Sequence, residues 1–168
     1  MGVLWLSTQV KFKRIIDYNL NLFGYKYSVI GIILLPTTCG TDSEMKCISI
    51  LGITSKSTKK GLVEPALFAD TAALIPEFLY ALPWHVLITS SLDTMAHAMV
   101  SFVSPKANTY SDIFSSKAIQ LLLKSYKTLL SIDDGSVIKE IAGDLLSASN
   151  YVGIAFGNAG VRAVNALA

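Results

Sequence analysis

A chain of 168 residues with 52% apolar side chains and a formal net charge of +2 has room for one domain, or for two half-domains cut from something larger. Its Lys and Arg residues are scattered rather than gathered into a stripe, which argues against a nucleic-acid partner. The strongest apolar run, Val29 to Leu35, stops at Pro36, well short of the about 20 residues that a membrane-spanning helix needs.

The N-terminus offers Val3-Leu4-Trp5-Leu6 with no basic region before it and no small-residue cleavage site, so it does not read as a secretory leader. Gly2 and Ser7 miss the myristoylation spacing by one position. A soluble, cytoplasmic chain without a membrane partner is expected. Cys39 and Cys47 make neither a disulfide framework nor a zinc motif, and are expected as reduced, partly buried thiols.

Residues 1–27 mix aromatics, amides and bases without a clear period, and only Val10 to Leu22 suggests a short helix. Tyr27 to Leu35 reads as a buried strand, a β-branched and aliphatic run stopped by proline. The next segment, Pro36-Thr37-Thr38-Cys39-Gly40-Thr41-Asp42-Ser43-Glu44, is a loop of small residues rich in hydroxyls. Met45 to Thr54 has strand character again, Ser55 to Lys60 reads as a polar, basic turn, and Gly61 to Leu74 as one more short strand with a turn at Pro65.

After Pro76 the apolar spacing becomes helical. It predicts helices over 83–104, 109–131 and 136–156, with another starting near 158. Pro83 suits a first turn, Pro105 stops the first helix, and Ser136 is a candidate cap for the third. In the second helix, Ile113, Ala118, Ile119, Leu122, Leu123, Tyr126, Leu129 and Leu130 form a broad apolar stripe. Internal repeats and low-complexity tracts are absent. The fold class is therefore an α/β segment followed by a mostly α layer.

Two features could carry chemistry. Loops at the carboxyl ends of parallel strands are where open α/β sheets bind ligands. Thr37, Thr38, Thr41 and Ser43 would supply hydroxyls for phosphate or ribose oxygens, and Gly40 would let the backbone come close. The plain alternative is an ordinary hydroxyl-rich turn. The second feature is Asp93 and His97, one helical turn apart and both metal-ligand types, with Ala96 and Ala98 leaving room beside the imidazole. Its plain alternative is a helix-surface Asp–His contact. His85, the other histidine, reads as a surface residue. No Gly-x-Ser-x-Gly elbow and no Gly-x-Gly-x-x-Gly fingerprint is present, and no residue stands out as a catalytic nucleophile, acid or base.

Four blocks in order resemble the iron-containing (group III) alcohol dehydrogenases. Residues Pro36 to Glu44 resemble the family's Pro-Thr-Thr-x-Gly-Thr-Gly-Ser-Glu loop, and Leu92 to Ala98 its Asp-Ala-Leu-Ala-His-Ala helix. Lys59 to Phe68 resembles the stretch leading to the domain boundary, and Gly153 to Gly160 a later helix start. The Cys39 variant of the loop is similar to the 4-hydroxybutyrate dehydrogenase branch. The resemblance implies a dehydroquinate synthase-like fold, here a central piece truncated at both ends. Residues 1–80 would be part of a nucleotide-binding α/β domain and 81–168 part of an all-helical metal-binding domain. It implies hydride transfer between a small-molecule alcohol or aldehyde and NAD or NADP, with iron(II) or zinc. Thr37, Thr38, Thr41 and Ser43, with Lys60 near the ribose, would hold the cofactor, and Asp93 and His97 would be two of the metal ligands.

The departures are as specific as the matches. Nothing in Met1 to Gly31 resembles the family's pyrophosphate-cradling Gly-Gly-Gly-Ser loop. Asp42 replaces a glycine, where a carboxylate is expected to repel phosphate and to resist the glycine's backbone angles. Ile75 stands for an aspartate and Val100 for a glutamate, while Arg162 and Asn165 stand for a glycine and the third ligand histidine. The sequence stops before a fourth ligand. The chain alone is thus expected to be impaired or inactive as a dehydrogenase. The alternatives are a non-catalytic relative acting as a structural or self-association module, including a homo-oligomer, and a decayed product that does not fold stably.

Overall fold

The computed structural model describes residues 31–53, 58–63, 65–131 and 136–159. The helix considered for Val10 to Leu22, and the one expected to start near 158 beyond Ala159, lie outside the described residues. Two small sheets precede three helices, numbered here in chain order. Strand β1 (Ile33–Leu34) pairs in parallel with β4 (Thr71–Ala72), with Ile33 opposite Thr71 and Leu34 opposite Ala72. Between them β2 (Ile48–Ile53) and β3 (Thr58–Val63) form an antiparallel ribbon, with Ile48 opposite Val63 and Leu51 opposite Lys60.

This corrects the strand reading in three places. The described end of the Tyr27–Leu35 run is not buried on both faces: Ile32 is buried, but Ile33 is 63% exposed. The pleat turns successive side chains to opposite faces, and only one face here meets the core. Thr58 to Lys60 belongs to β3, because cross-strand pairing overrides the turn preference of a polar, basic run. Finally, Gly61 to Leu74 is no single strand. It holds the end of β3, a 3-10 turn at Pro65–Leu67 and then β4.

Helices α1 (Trp84–Phe102), α2 (Thr109–Ser131) and α3 (Val137–Asn158) hold more than half of the described residues. The Pro83 carbonyl accepts from the Val86 and Leu87 amides as α1 begins, and the helix ends before Pro105. Asn108 caps α2, its Oδ1 accepting from the Tyr110 and Ser111 amides at 3.0 and 3.1 Å. Ser136 occupies the cap position of α3 but makes no side-chain capping bond, contrary to expectation; its own backbone is already helical, which turns the hydroxyl away from the first-turn amides. No described helix is long and apolar enough to cross a membrane.

Helix α3 packs along both α1 and α2. It supplies Val137, Ile141, Leu145, Leu146 and Val152 to one buried cluster with Leu87, Ala118, Leu122 and Leu79. Buried along α1 are Leu87, Ser91, Thr94, Ala98 and Ser101, and along α2 Ser111, Ser115, Ala118, Leu122 and Ser125, all at helical spacing. The apolar stripe expected on α2 is narrower than its pattern suggested. Ala118 and Leu122 are buried and Ile119, Tyr126 and Leu129 pack against the core, but Ile113, Leu123 and Leu130 are exposed.

Candidate functional site

The loop after β1 lies down on α1. Gly40 makes this approach feasible, since a Cβ there would sit 2.9 Å from the Ser90 carbonyl oxygen. The Thr94 hydroxyl donates to the Cys39 carbonyl, and the Cys39 thiol lies 3.3 Å from Ser90 Oγ. Cys39 is fully buried, where partial burial was expected, and Cys47 is half-buried. Burial pushes the Cys39 thiol up from its ordinary value, against a smaller opposing effect of the Ser90 contact.

This docking brings the two suspected features together. Beyond Gly40 the chain turns through Asp42, whose φ of 43° and ψ of 26° are left-handed. That geometry explains a family glycine at this position, and aspartate is one of the few other residues that adopt it readily. The carboxylate points inward. Only 1% of Asp42 is exposed, and Lys46 Nζ donates to its Oδ1 at 2.8 Å. The same oxygen lies 3.9 Å from His97 Nδ1. Burial pushes the Asp42 carboxyl above the ordinary carboxylate range, with Lys46 and then His97 opposing and Asp93 reinforcing the shift.

On the other side of the imidazole, His97 Nε2 lies 3.8 Å from Asp93 Oδ1. Asp93 is 56% exposed and His97 17%, so the pair opens outward. The room expected beside His97 is taken on one side by the Phe156 ring, centroid to centroid at 5.1 Å, and Lys46 Nζ sits 4.3 Å from that ring's centroid. Glu44, at the 3-10 turn Ser43–Met45, is buried, and its Oε1 accepts from Asn150 of α3 at 3.5 Å. Next to this group a cleft of about 330 Å³ is lined by Met45, Lys46, Ile48, Phe68, Ile154 and Phe156.

Of the residues singled out in the sequence, Thr37, Thr38 and Ser43 are half-buried and Thr41 exposed along the docked loop, while Lys60 stands on β3. Asp93 and His97 share one face of α1, and His85 is exposed at that helix's start. Ile75 and Val100, at positions of family carboxylates, are both half-buried. Arg162 and Asn165 lie outside the described residues. Asp42 and Phe156 were not expected to meet His97, nor Lys46 to meet those two. The available signals were an aspartate in a glycine position and a lysine four residues after it.

Asp93 and His97, both of metal-ligand type and 3.8 Å apart, would hold a divalent cation together. The pair fits as half a metal site. Among the described residues no group of three or more His, Cys, Asp or Glu side chains completes it.

Residues 87–168 match the model of the Fe-containing alcohol dehydrogenase family, C-terminal. The chain is also 44% identical over 155 residues to 4-hydroxybutyrate dehydrogenase of Clostridium kluyveri, which covers 90% of the chain and 41% of that protein. The chain belongs to the iron-containing alcohol dehydrogenase family. Long-chain-alcohol dehydrogenase 1 of Geobacillus thermodenitrificans is 36% identical over 136 residues, or 81% of this chain and 33% of that relative. The family fold is equally plain in three dimensions. The crystal structure of sulfoacetaldehyde reductase from Bifidobacterium kashiwanohense in complex with NAD+ superposes with a TM-score of 0.71 at 27% identity, over 79% of this chain and 34% of that one. The chain thus spans well under half the length of each of these relatives.

Proposed function

We propose that this chain carries the metal-facing part of a site for hydride exchange between a small alcohol or aldehyde and NAD or NADP. The observation that carries the reading is the docking of the threonine-rich loop on α1, which sets Asp42 3.9 Å from His97 beside the 330 Å³ cleft. Asp93 and His97 would hold the metal, iron(II) or zinc. Thr37, Thr38, Thr41 and Ser43 would bond the cofactor's oxygens, with Lys60 a further contact from β3. When bound, the metal would supply Lewis acidity toward the alcohol oxygen, and the nicotinamide would take the hydride. The cleft walls, largely apolar at Met45, Ile48, Ile154 and Phe156, would keep water from the transferred hydride. A cytoplasmic setting and a small-molecule substrate, without nucleic acid or membrane, belong to the same reading.

Turnover by this chain alone is expected to be weak or absent, because Arg162 and Asn165 replace the glycine and the third ligand histidine of the family pattern. An amide oxygen is a much poorer iron ligand than imidazole. The test is metal content after anaerobic loading with ferrous iron, beside a His97→Ala control. About one iron per chain, lost in the control, supports the reading and justifies NAD assays. Iron no higher than in the control overturns it.

A further inference from the structure

We propose that Asp42 is the positioning residue for His97: it holds Nδ1 as the protonated nitrogen and so presents the Nε2 lone pair toward Asp93. The proposal rests on the metal reading above only for its consequence, not for its geometry. His97 stands between two carboxylates, with Asp42 Oδ1 3.9 Å from Nδ1 and Asp93 Oδ1 3.8 Å from Nε2. These two sides differ in every respect that matters to a cation. Asp42 is 1% exposed and already engaged by the Lys46 ammonium at 2.8 Å, which would repel a metal. Asp93 is 56% exposed and open. The metal side is therefore Nε2, and Asp42 is no ligand.

What remains on the Asp42 side is a matched pair of unmet groups. His97 Nδ1 is buried with no hydrogen-bond partner, and so is Asp42 Oδ2. A buried N–H facing a carboxylate gains from the contact, whereas a buried Nδ1 lone pair facing it is repelled. The tautomer with the proton on Nδ1 is thus favoured before any metal arrives. Binding at Nε2 makes the Nδ1 proton more positive and tightens the contact, and loss of such a partner weakens metal affinity about 10- to 100-fold. Lys46 and Phe156 complete the device. The ammonium holds Asp42 Oδ1 in place at 2.8 Å, and the ring at 5.1 Å limits rotation of the imidazole.

The experiment is nitrogen-15 NMR of the imidazoles in the full metal-free chain, with exposed His85 as internal reference, followed by titration with ferrous iron. Asp42→Asn is the decisive variant, because asparagine also accepts left-handed backbone and so keeps the turn. The expected result is the His97 proton on Nδ1 in the parent chain. In Asp42→Asn the population moves toward the proton on Nε2, and iron binding weakens about 10- to 100-fold. A parent chain with the proton on Nε2 overturns the proposal even if the variant fails to fold. An Asp42→Asn chain with the parent's tautomer and iron affinity overturns it as well. Should the tautomer depend on Asp42 while the parent chain binds no iron, the positioning role stands and only the metal reading falls.

Discussion

At Asp42 and Glu44 two acids are buried two residues apart, and each has one carboxylate oxygen without a hydrogen-bond partner. Burial is the main reason the Glu44 carboxyl is pushed above its ordinary value near 4.5, and Asp42 adds to the shift. Its own backbone bond, Asn150 and Lys46 oppose it. A carboxyl raised in the folded state holds its proton longer than in the unfolded chain. Stability therefore falls as pH rises from the unfolded value through the folded one, and stays lower above it. Glu44→Gln removes this penalty and preserves an acceptor for Asn150. Urea unfolding at a series of pH values is expected to show the variant more stable than the parent at neutral pH, with the gap closing below about pH 4. A gap that widens toward acid would mean that Glu44 is stabilised as a carboxylate instead.

Among the elements, α3 and the docked loop approach each other closely at Gly153. A Cβ at Gly153 would sit 2.6 Å from Met45 Cβ and 3.1 Å from the Asp42 carbonyl oxygen, so Gly153→Ala must push the loop off the helix. Overpacking of this kind costs about 1–3 kcal/mol. Gly157→Ala, one turn later, meets nothing within 4 Å. It is expected to be neutral or mildly stabilising, because alanine is the better helix former. Thermal melts of both variants check the contrast, and equal destabilisation would place the cost in the helix rather than in the loop contact. The helices themselves were legible in the sequence, since 3.6-residue spacing is a local signal; α2 runs over 109–131 as its pattern indicated. The inward face of α2 was legible in part: Ala118, Ile119, Leu122, Tyr126 and Leu129 meet the core, but Ile113, Leu123 and Leu130 do not, because local spacing does not show how far partner helices cover a stripe. Thr58 to Lys60 was misread for a similar reason, as β pairing depends on a partner strand that local composition does not reveal. The threonine-rich loop and the Asp93–His97 pair could each be picked out by motif. That Asp42 would meet His97, 55 residues later, is a tertiary fact that no local pattern carries.

For the molecule as a whole, the decisive question is whether the loop and the helices open together. Cys39 of the loop belongs to the same buried cluster as Leu87 of α1, Leu122 of α2 and Leu145 of α3. Its thiol is shielded, and burial keeps it protonated, so reaction with a thiol reagent requires opening. Leu145→Ala leaves a cavity on the α3 side of this cluster and is expected to cost about 2–5 kcal/mol. In a chain of this size each kcal/mol lowers the melting midpoint by about 2–4 °C. If Cys39 becomes reactive only when the whole core unfolds, its labelling rate under native conditions rises tenfold for about every 1.4 kcal/mol lost. We expect this proportionality, because Thr94, Ser90 and Gly40 fasten the loop to the helix that Leu87 anchors. A Cys39 rate unchanged by Leu145→Ala, despite a lowered midpoint, would show that the loop lifts off an intact helical layer. The carboxylate facing His97 would then be a transient neighbour, and the metal-facing half of the site would have to form without it.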